Sequence, residues 1–546
     1  MRPPTGDPMG RTSDPAVRGN KAGSRLIPLG LILLTLLTFS PTLSHDFVGW
    51  DDGPNISTNP DFNPPTFAGL ARYWKEPYLG LYAPVTYTAW AGLATLAQLD
   101  PGPHDQLNPF FFHAANIILH ALNVALVYAL VRRLTRHTAA AAVGALVFAL
   151  HPLQVEPAAW VTGLKDVLSA TLGLLALLGY LTAIGREGPA GRPATAYALA
   201  TLCLLLALLS KPAAVIIPVI AGIIHLTVLD RSLRSAVSTL GPWLALAAAA
   251  ALLTALVQPA ATIVAPPLWA RPLIAGDALA FYLRKLLIPF PLGIDHGRTP
   301  TTILASGWAY AAWLLPAAVG LLIWRFRQRF PLVAVSALLF VAGVLPVLGL
   351  VSFDHQRYST VADRYIYLSM LGVALAVATL LSLPAGRWKW AIAGVALTTL
   401  TALNLLQQRT WRDSPTLFAH TLGVHPDSPI GNQGMAAIHS AAGRPREALP
   451  YARAAVRLAP RDPAAHHGLA VALAQAGQPA EALAEFARAQ ELAPRDTMIL
   501  YNLAELHAGQ GNLPAAIDCL QRALDIDPGD QHMRQTLEKM RQRKRP

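Results

Sequence analysis

Over its first 410 residues the chain alternates long apolar runs with short basic or polar clusters. A helix needs about 20 residues to cross the ~30 Å hydrocarbon core of a bilayer. Runs of 17 to 22 residues fall at 26–44, 110–131, 138–156, 167–185, 194–210, 212–229, 238–257, 307–324, 331–351, 364–382 and 388–406, so the pattern predicts eleven membrane spans. Two further apolar stretches, 81–98 and 272–290, contain or border Pro84, Arg284-Lys285, Pro289 and Pro291. Proline and charge at those points predict interfacial or re-entrant helices instead.

Past Trp411-Arg412-Asp413 the pattern turns alanine-rich, charged and soluble, and a 34-residue period sets in: Pro426, Pro460, Pro494 and Pro528; Gly443, Gly477 and Gly511; Ala448, Ala482 and Ala516. This is the tetratricopeptide period. The small residue lets two helices approach, the glycine turns the chain between them, and the proline ends the second helix. Three repeats are predicted at 427–460, 461–494 and 495–528, with a capping helix at 529–543, enough for a stable stack. The expected fold is all-α: a basic tail 1–25, a polytopic membrane domain 26–410 with outer loops 45–109 and 258–306, a linker 411–426, and an α-solenoid 427–543. Such a stack offers a concave face to a polypeptide acceptor or partner protein; the alternative is a spacer or oligomerisation role.

Composition agrees with this organisation. Hydrophobic residues make up 53% of the 546 and charged residues only 14%, and mean hydropathy is +0.39. The segment after residue 26 reads as an uncleaved first helix, because no small-x-small cleavage site follows it before Ser44-His45-Asp46. The two cysteines, Cys203 in an apolar run and Cys519 in a soluble helix, offer no disulfide framework. The net charge of +12 does not signal nucleic acid. It is concentrated in clusters between spans, namely Arg2, Arg11, Arg18, Lys21 and Arg25, then Arg132-Arg133 with Arg136, Arg186 and Arg192, Arg231 and Arg234, Arg325, Arg327 and Arg329, and Arg387 with Lys389. Positive clusters face the cytoplasm, which places the amino terminus inside and the repeats outside, with the spans against membrane lipids.

That topology places the non-basic polar residues on the outer face: Asp51-Asp52, His151 with Glu156, Lys165-Asp166, Lys211, Asp295-His296 and Asp363-Arg364. Acids, histidines and cations collected at one membrane surface point to a site for a charged ligand. Asp51 or Asp52, just past the first span, is placed to act as general base toward an acceptor hydroxyl while a lipid-borne donor approaches from the membrane. His113, Asn116, His120 and Asn123 recur at three- and four-residue steps and form a polar stripe, expected to make interhelical hydrogen bonds rather than to bind metal.

The ordered motifs carry a resemblance. They are Phe47-Val-Gly-Trp-Asp-Asp52, Phe112-His-x-x-Asn116-x-x-x-His120-x-x-Asn123, Phe148-Ala-Leu-His151-Pro-Leu-Gln-Val-Glu156-Pro-Ala-Ala-Trp160, Lys165-Asp-Val-Leu-Ser169, Leu208-Leu-Ser-Lys211-Pro212, Tyr282-Leu-Arg-Lys-Leu-Leu-Ile-Pro289 and Ala362-Asp-Arg-Tyr-Ile-Tyr-Leu368, followed by Trp411-Arg-Asp and the repeats. The chain resembles the transmembrane and tetratricopeptide-repeat-containing glycosyltransferases, their bacterial branch most of all. It departs from them at Trp50, where many carry tyrosine, and at Ser369-Met370, where proline is common. The resemblance implies a GT-C fold in the bacterial inner membrane and protein O-mannosyltransferase-like activity. The sugar donor would be carried on polyprenyl phosphate, with no other cofactor. Asp51 would be the general base and Asp52 its neighbour, orienting the acceptor or raising the basicity of the pair. Outer-face cations would stabilise the departing lipid phosphate, Arg364 first, then Lys211, Lys165 and Arg284, because a guanidinium grips phosphate oxygens with two donors. His151, Glu156, Asp166, His113 and Asn116 would support the site; the alternative for Lys165 is a structural ion pair with Asp166 or Glu156. One displacement would invert the anomeric centre. Rival readings are a glycan- or lipid-modifying transferase, an oligosaccharide ligase, and a non-catalytic membrane scaffold that assembles envelope proteins through its repeats.

Overall fold

The computed structural model describes residues 23–102, 106–185, 193–257, 265–384 and 386–544. The basic tail up to residue 22, Arg186 and Arg192, and the 258–264 part of an outer loop lie outside the described residues. Regular structure among those described is helical.

Among the described residues, six helices are long and apolar enough to cross a bilayer: Leu26–Ser44, Pro109–Thr135, Val161–Ile184, Leu233–Val257, Gly307–Phe326 and Trp388–Trp411. A seventh arises if Thr138–Leu150 and Pro152–Ala159, bent by 58°, form one span. Pro152 causes the bend, since it removes a donor and forces the preceding His151 into extended backbone. The other four expected spans fall on shorter apolar helices, Pro193–Leu208, Pro212–Thr227, Pro331–Val347 and Met370–Ser382. The run expected at 364–382 starts its helix late because Asp363–Ile366 forms a separate 3-10 turn. The stretch 81–98 carries the helix Pro84–Ala97, and 272–290 carries Arg271–Leu287.

Small residues bring the apolar helices close. A Cβ on Gly144 would lie 2.3 Å from the Ala374 carbonyl oxygen, and one on Gly372 would lie 2.4 Å from that of Ser336. Helices Thr138–Leu150, Met370–Ser382 and Pro331–Val344 therefore pack backbone to backbone. Three of the four residues of the polar stripe on Pro109–Thr135 make the expected bonds, whereas neither ring nitrogen of buried His113 has a hydrogen-bond partner among the described residues. Asn116 Nδ2 donates to the Trp160 carbonyl at 2.6 Å, Asn123 Nδ2 to that of Val167 at 2.9 Å, and His120 meets the Tyr367 hydroxyl at 2.8 Å.

The repeats form antiparallel helix pairs, Pro429–Ala441 with Pro445–Leu458, Pro463–Gln475 with Pro479–Leu492, and Thr497–Gly509 with Leu513–Ile526, capped by Gln531–Lys544. Gly443, Gly477 and Gly511 stand at φ +66°, +76° and +77° between the paired helices, a left-handed conformation that favours glycine. Residues 411–426, expected to be a linker, instead carry the helix Ser414–Val424, capped by Asp413 through the Thr416 amide. Leu417 and Phe418 from it share one core cluster with Phe39, Val48, Trp160 and Tyr358. Apolar side chains two turns into the segment make it part of the folded body.

Candidate active site

The two adjacent aspartates occupy opposite environments. Their loop is strapped to the segment leading into the repeats: the Asp46 amide donates to the Arg412 carbonyl at 2.9 Å and the Gly49 amide to Ser414 Oγ at 2.8 Å. Asp52 is fully buried. Its Oδ2 accepts from the Val48 amide at 2.9 Å, and its Oδ1 from the Thr162 amide at 3.0 Å and the Thr162 hydroxyl at 2.6 Å. Burial pushes its carboxyl up to about 6, with the three hydrogen bonds opposing. Both carboxylate oxygens of Asp52, the residue that the resemblance makes the neighbour of the base, are therefore engaged by the protein's own donors. Asp51 is half-buried; its carbonyl accepts from Asn55, and its carboxylate takes no hydrogen bond among the described residues. Lys165 and Arg357 feel its charge.

A second cluster gathers the other expected residues. Arg364 Nη1 lies 2.6 Å from Glu156 Oε1, and the Arg364 amide donates to Glu156 Oε2 at 2.9 Å. Lys211 is ion-paired with Asp166. Lys165 thus pairs with neither Asp166 nor Glu156, the alternative to phosphate binding, because both carboxylates are engaged by other cations; its ammonium sits 5.7 Å from the Trp90 ring centroid. Asp166, Ser169, Lys211, Arg364, Tyr365 and Tyr367 line a cavity of about 70 Å³, room for about five waters at ~10–15 Å³ each. Lys165 and Arg284 are absent from that lining. Arg284 is exposed on the far turn of Arg271–Leu287, its guanidinium over Phe281 at 5.8 Å, which removes it from this site. Position along a helix alone could not separate it from Lys285, which is buried.

The segment 362–367, which presents Arg364, is held from every side. Tyr282 Oη donates to the Ala362 carbonyl at 3.2 Å. Asp363 meets His296 Nε2 at 3.0 Å and the Gly293 amide at 3.1 Å, and Tyr367 Oη meets His120 and Asn123. His151 is a hinge residue: Nδ1 caps the Pro152 turn through the Leu153 amide at 3.3 Å and Nε2 meets the Leu286 carbonyl at 3.2 Å. Buried His113 lies edge-on to His45 at 6.0 Å. Among the described residues no three metal-ligating side chains come together.

Sequence reasoning missed His355, Arg357, Tyr358 and Tyr365. Trp50 packs edge-on against His355 at 6.5 Å and Tyr358 at 6.2 Å, and His355 against Tyr365 at 5.9 Å. These residues make an aromatic wall between the acid loop and Arg364. The available signal was the polar run Asp354-His355-Gln356-Arg357-Tyr358 between two apolar stretches.

A helical membrane body with an acid loop, paired cations and a docked repeat stack defines a class of membrane protein with a polar site beside its helices, and comparison with known proteins narrows it. The tetratricopeptide repeat family model matches residues 435–497 and 475–531. The chain is 34% identical over 194 residues to protein O-mannosyl-transferase TMTC1 of Mus musculus, covering 33% of this chain and 20% of that protein. It is 29% identical over 178 residues to protein O-mannosyl-transferase TMTC4 of Homo sapiens, covering 29% and 23%. It thus spans about a fifth of the length of these curated relatives. Among solved structures, the tetratricopeptide-repeat protein YrrB matches at 22% identity and TM-score 0.21, over 31% of this chain and 82% of that one. The Cut9-Hcn1 complex matches at 13% identity and TM-score 0.26, over 84% and 98%.

Proposed function

We propose that the chain is a membrane glycosyltransferase that moves a sugar, a hexose such as mannose, from polyprenyl phosphate to serine or threonine hydroxyls of proteins on the extracytoplasmic side. The similarity to named O-mannosyl-transferases supports the reaction class. The observation that carries the site is the division of labour between the aspartates: Asp52 is spent on Val48 and Thr162, while Asp51 keeps an unbonded carboxylate in the field of Lys165 and Arg357. Counting the bent pair and the four shorter apolar helices as spans gives the eleven of the proposed GT-C topology, with the amino terminus inside, the repeats outside and the bacterial inner membrane as the setting.

In this reading the acceptor hydroxyl gives its proton to Asp51 as its oxygen attacks the anomeric carbon. The bond from that carbon to the phosphate oxygen breaks, and the lipid phosphate leaves into the field of Arg364 and Lys211. One such displacement inverts the anomeric centre, and the proton passes from Asp51 to water. The repeats present the polypeptide. The test is transfer of labelled mannose from synthetic polyprenyl-phosphate mannose to a serine- and threonine-rich polypeptide by purified protein. Label in protein with the anomeric configuration inverted is expected. No transfer from a panel of sugars by folded protein would overturn the reading in favour of a scaffold.

A further inference from the structure

The first two repeats do more than hang beside the membrane body. Tyr358, on the loop after Pro331–Val347, is buried against Trp50, the chain neighbour of Asp51. The guanidinium of Arg357, which feels the charge of Asp51, lies 4.6 Å from the Tyr358 ring centroid. The Tyr358 hydroxyl donates to Asp462 Oδ2 at 3.2 Å. Asp462 caps the first helix of the second repeat through the Ala464 amide, and its Oδ2 also accepts from Gln433 Nε2 of the first repeat at 2.8 Å. One carboxylate, itself 8% exposed, therefore joins two repeats to the wall of the proposed site. A reach of 104 residues along the chain makes this a contact between folded units rather than a local turn.

We propose that Tyr358 and Asp462 are positioning residues of the transfer reaction, through which the first two repeats hold the Trp50 and Arg357 wall beside Asp51. The inference rests on the transferase reading above. It makes the repeat stack part of the site's geometry for any acceptor, including one too short to reach the concave face, whereas a recruiting module would matter only for long acceptors.

The test uses the full-length protein with polyprenyl-phosphate mannose and a short threonine peptide. Tyr358→Phe removes one hydroxyl and keeps the ring; Asp462→Ala removes the acceptor; Asp462→Asn keeps the cap and a polar partner for the tyrosine. Tyr358→Phe and Asp462→Ala are each expected to lower kcat three- to tenfold, the scale of one lost hydrogen bond, with the KM of donor and peptide unchanged. The double variant should fall no further than the single ones, and Asp462→Asn should keep at least half the wild-type kcat. Wild-type kcat in Tyr358→Phe, or a loss confined to the KM of long acceptors, overturns the proposal. Hydrogen exchange separates it from the transferase reading: backbone amides of 46–52 should exchange faster in Tyr358→Phe and Asp462→Ala even if no sugar is transferred, and unchanged exchange overturns the docking itself.

Discussion

Asp51→Asn and Asp52→Asn are the same chemical change one residue apart, and the structure assigns them opposite consequences. Asp51 is half-buried and its carboxylate holds no hydrogen bond among the described residues, so the amide costs little folding energy. Removing a general base costs 10²–10⁴ in rate, or about 3–5 kcal/mol of barrier. Asp52 is fully enclosed by donors, two on Oδ1 and one on Oδ2. An asparagine can keep its oxygen toward Thr162 only by turning its NH₂ group onto the Val48 amide, leaving buried donors unpaired at about 1–3 kcal/mol. The expected pattern is therefore a normally stable Asp51→Asn with kcat down at least a hundredfold, and an Asp52→Asn that melts earlier yet keeps measurable turnover while folded. Single-turnover transfer of labelled mannose, run beside thermal unfolding in the same detergent, reads both. Asp51→Asn retaining kcat within about threefold of wild type would refute the assignment of the base.

Asp52 also predicts a pH dependence. Its folded-state pKa of about 6 stands above the ordinary 3.8, so the folded state holds the proton more tightly; this contribution is fully present below the unfolded value and is lost as pH rises through 6. Stability should gain roughly 1 kcal/mol between pH 7 and pH 5 from this group, and denaturation midpoints of wild type against Asp52→Asn should show that slope only in wild type. Gly144→Ala drives a methyl onto the Ala374 carbonyl of a packed helix; overpacking of this kind should cost about 1–3 kcal/mol, read as a lower melting temperature. Glu156→Gln strands the guanidinium of Arg364, whose side chain is 11% exposed, and should destabilise by about 3–5 kcal/mol, measured by chemical denaturation. Asp166→Asn frees Lys211 and should tighten inhibition by polyprenyl phosphate about fivefold, the effect of ~1 kcal/mol; unchanged inhibition would remove Lys211 from the phosphate site.

What could be read in advance was whatever repeats or is local. The 34-residue period located the three inter-helix glycines of the repeats, Gly443, Gly477 and Gly511, that the structure places at positive φ, because a turn of that kind depends on a single residue. The apolar runs located apolar helices, but run length does not distinguish a 24-residue helix such as Val161–Ile184 from one such as Met370–Ser382, where a polar turn at 363–366 delays the start. Pairing was the illegible part. Glu156 and Arg364 are 208 residues apart and Lys211 and Asp166 are 45 apart, and nothing in the spacing tells which carboxylate takes which cation. Lys165 and Arg284 were plausible phosphate ligands by charge alone, and only the packing around them removes them from the cavity.

The pairing has a consequence for how an anionic donor would bind. Arg364 and Lys211 line the cavity already neutralised by Glu156 and Asp166. A phosphate would therefore enter by exchange: each oxygen it offers replaces a carboxylate oxygen, and the displaced carboxylate needs another partner. Lys165, which feels both Asp51 and Asp166 and has no ion pair among the described residues, is the cation placed to take it up. Such an exchange holds the affinity for the lipid phosphate well below that of two free cations. That would suit the proposed transferase, in which the same phosphate is the leaving group and has to depart after each turnover. It also keeps buried charge compensated whether or not the site is filled. Asp51, the proposed base, stays outside this network and takes no hydrogen bond from it.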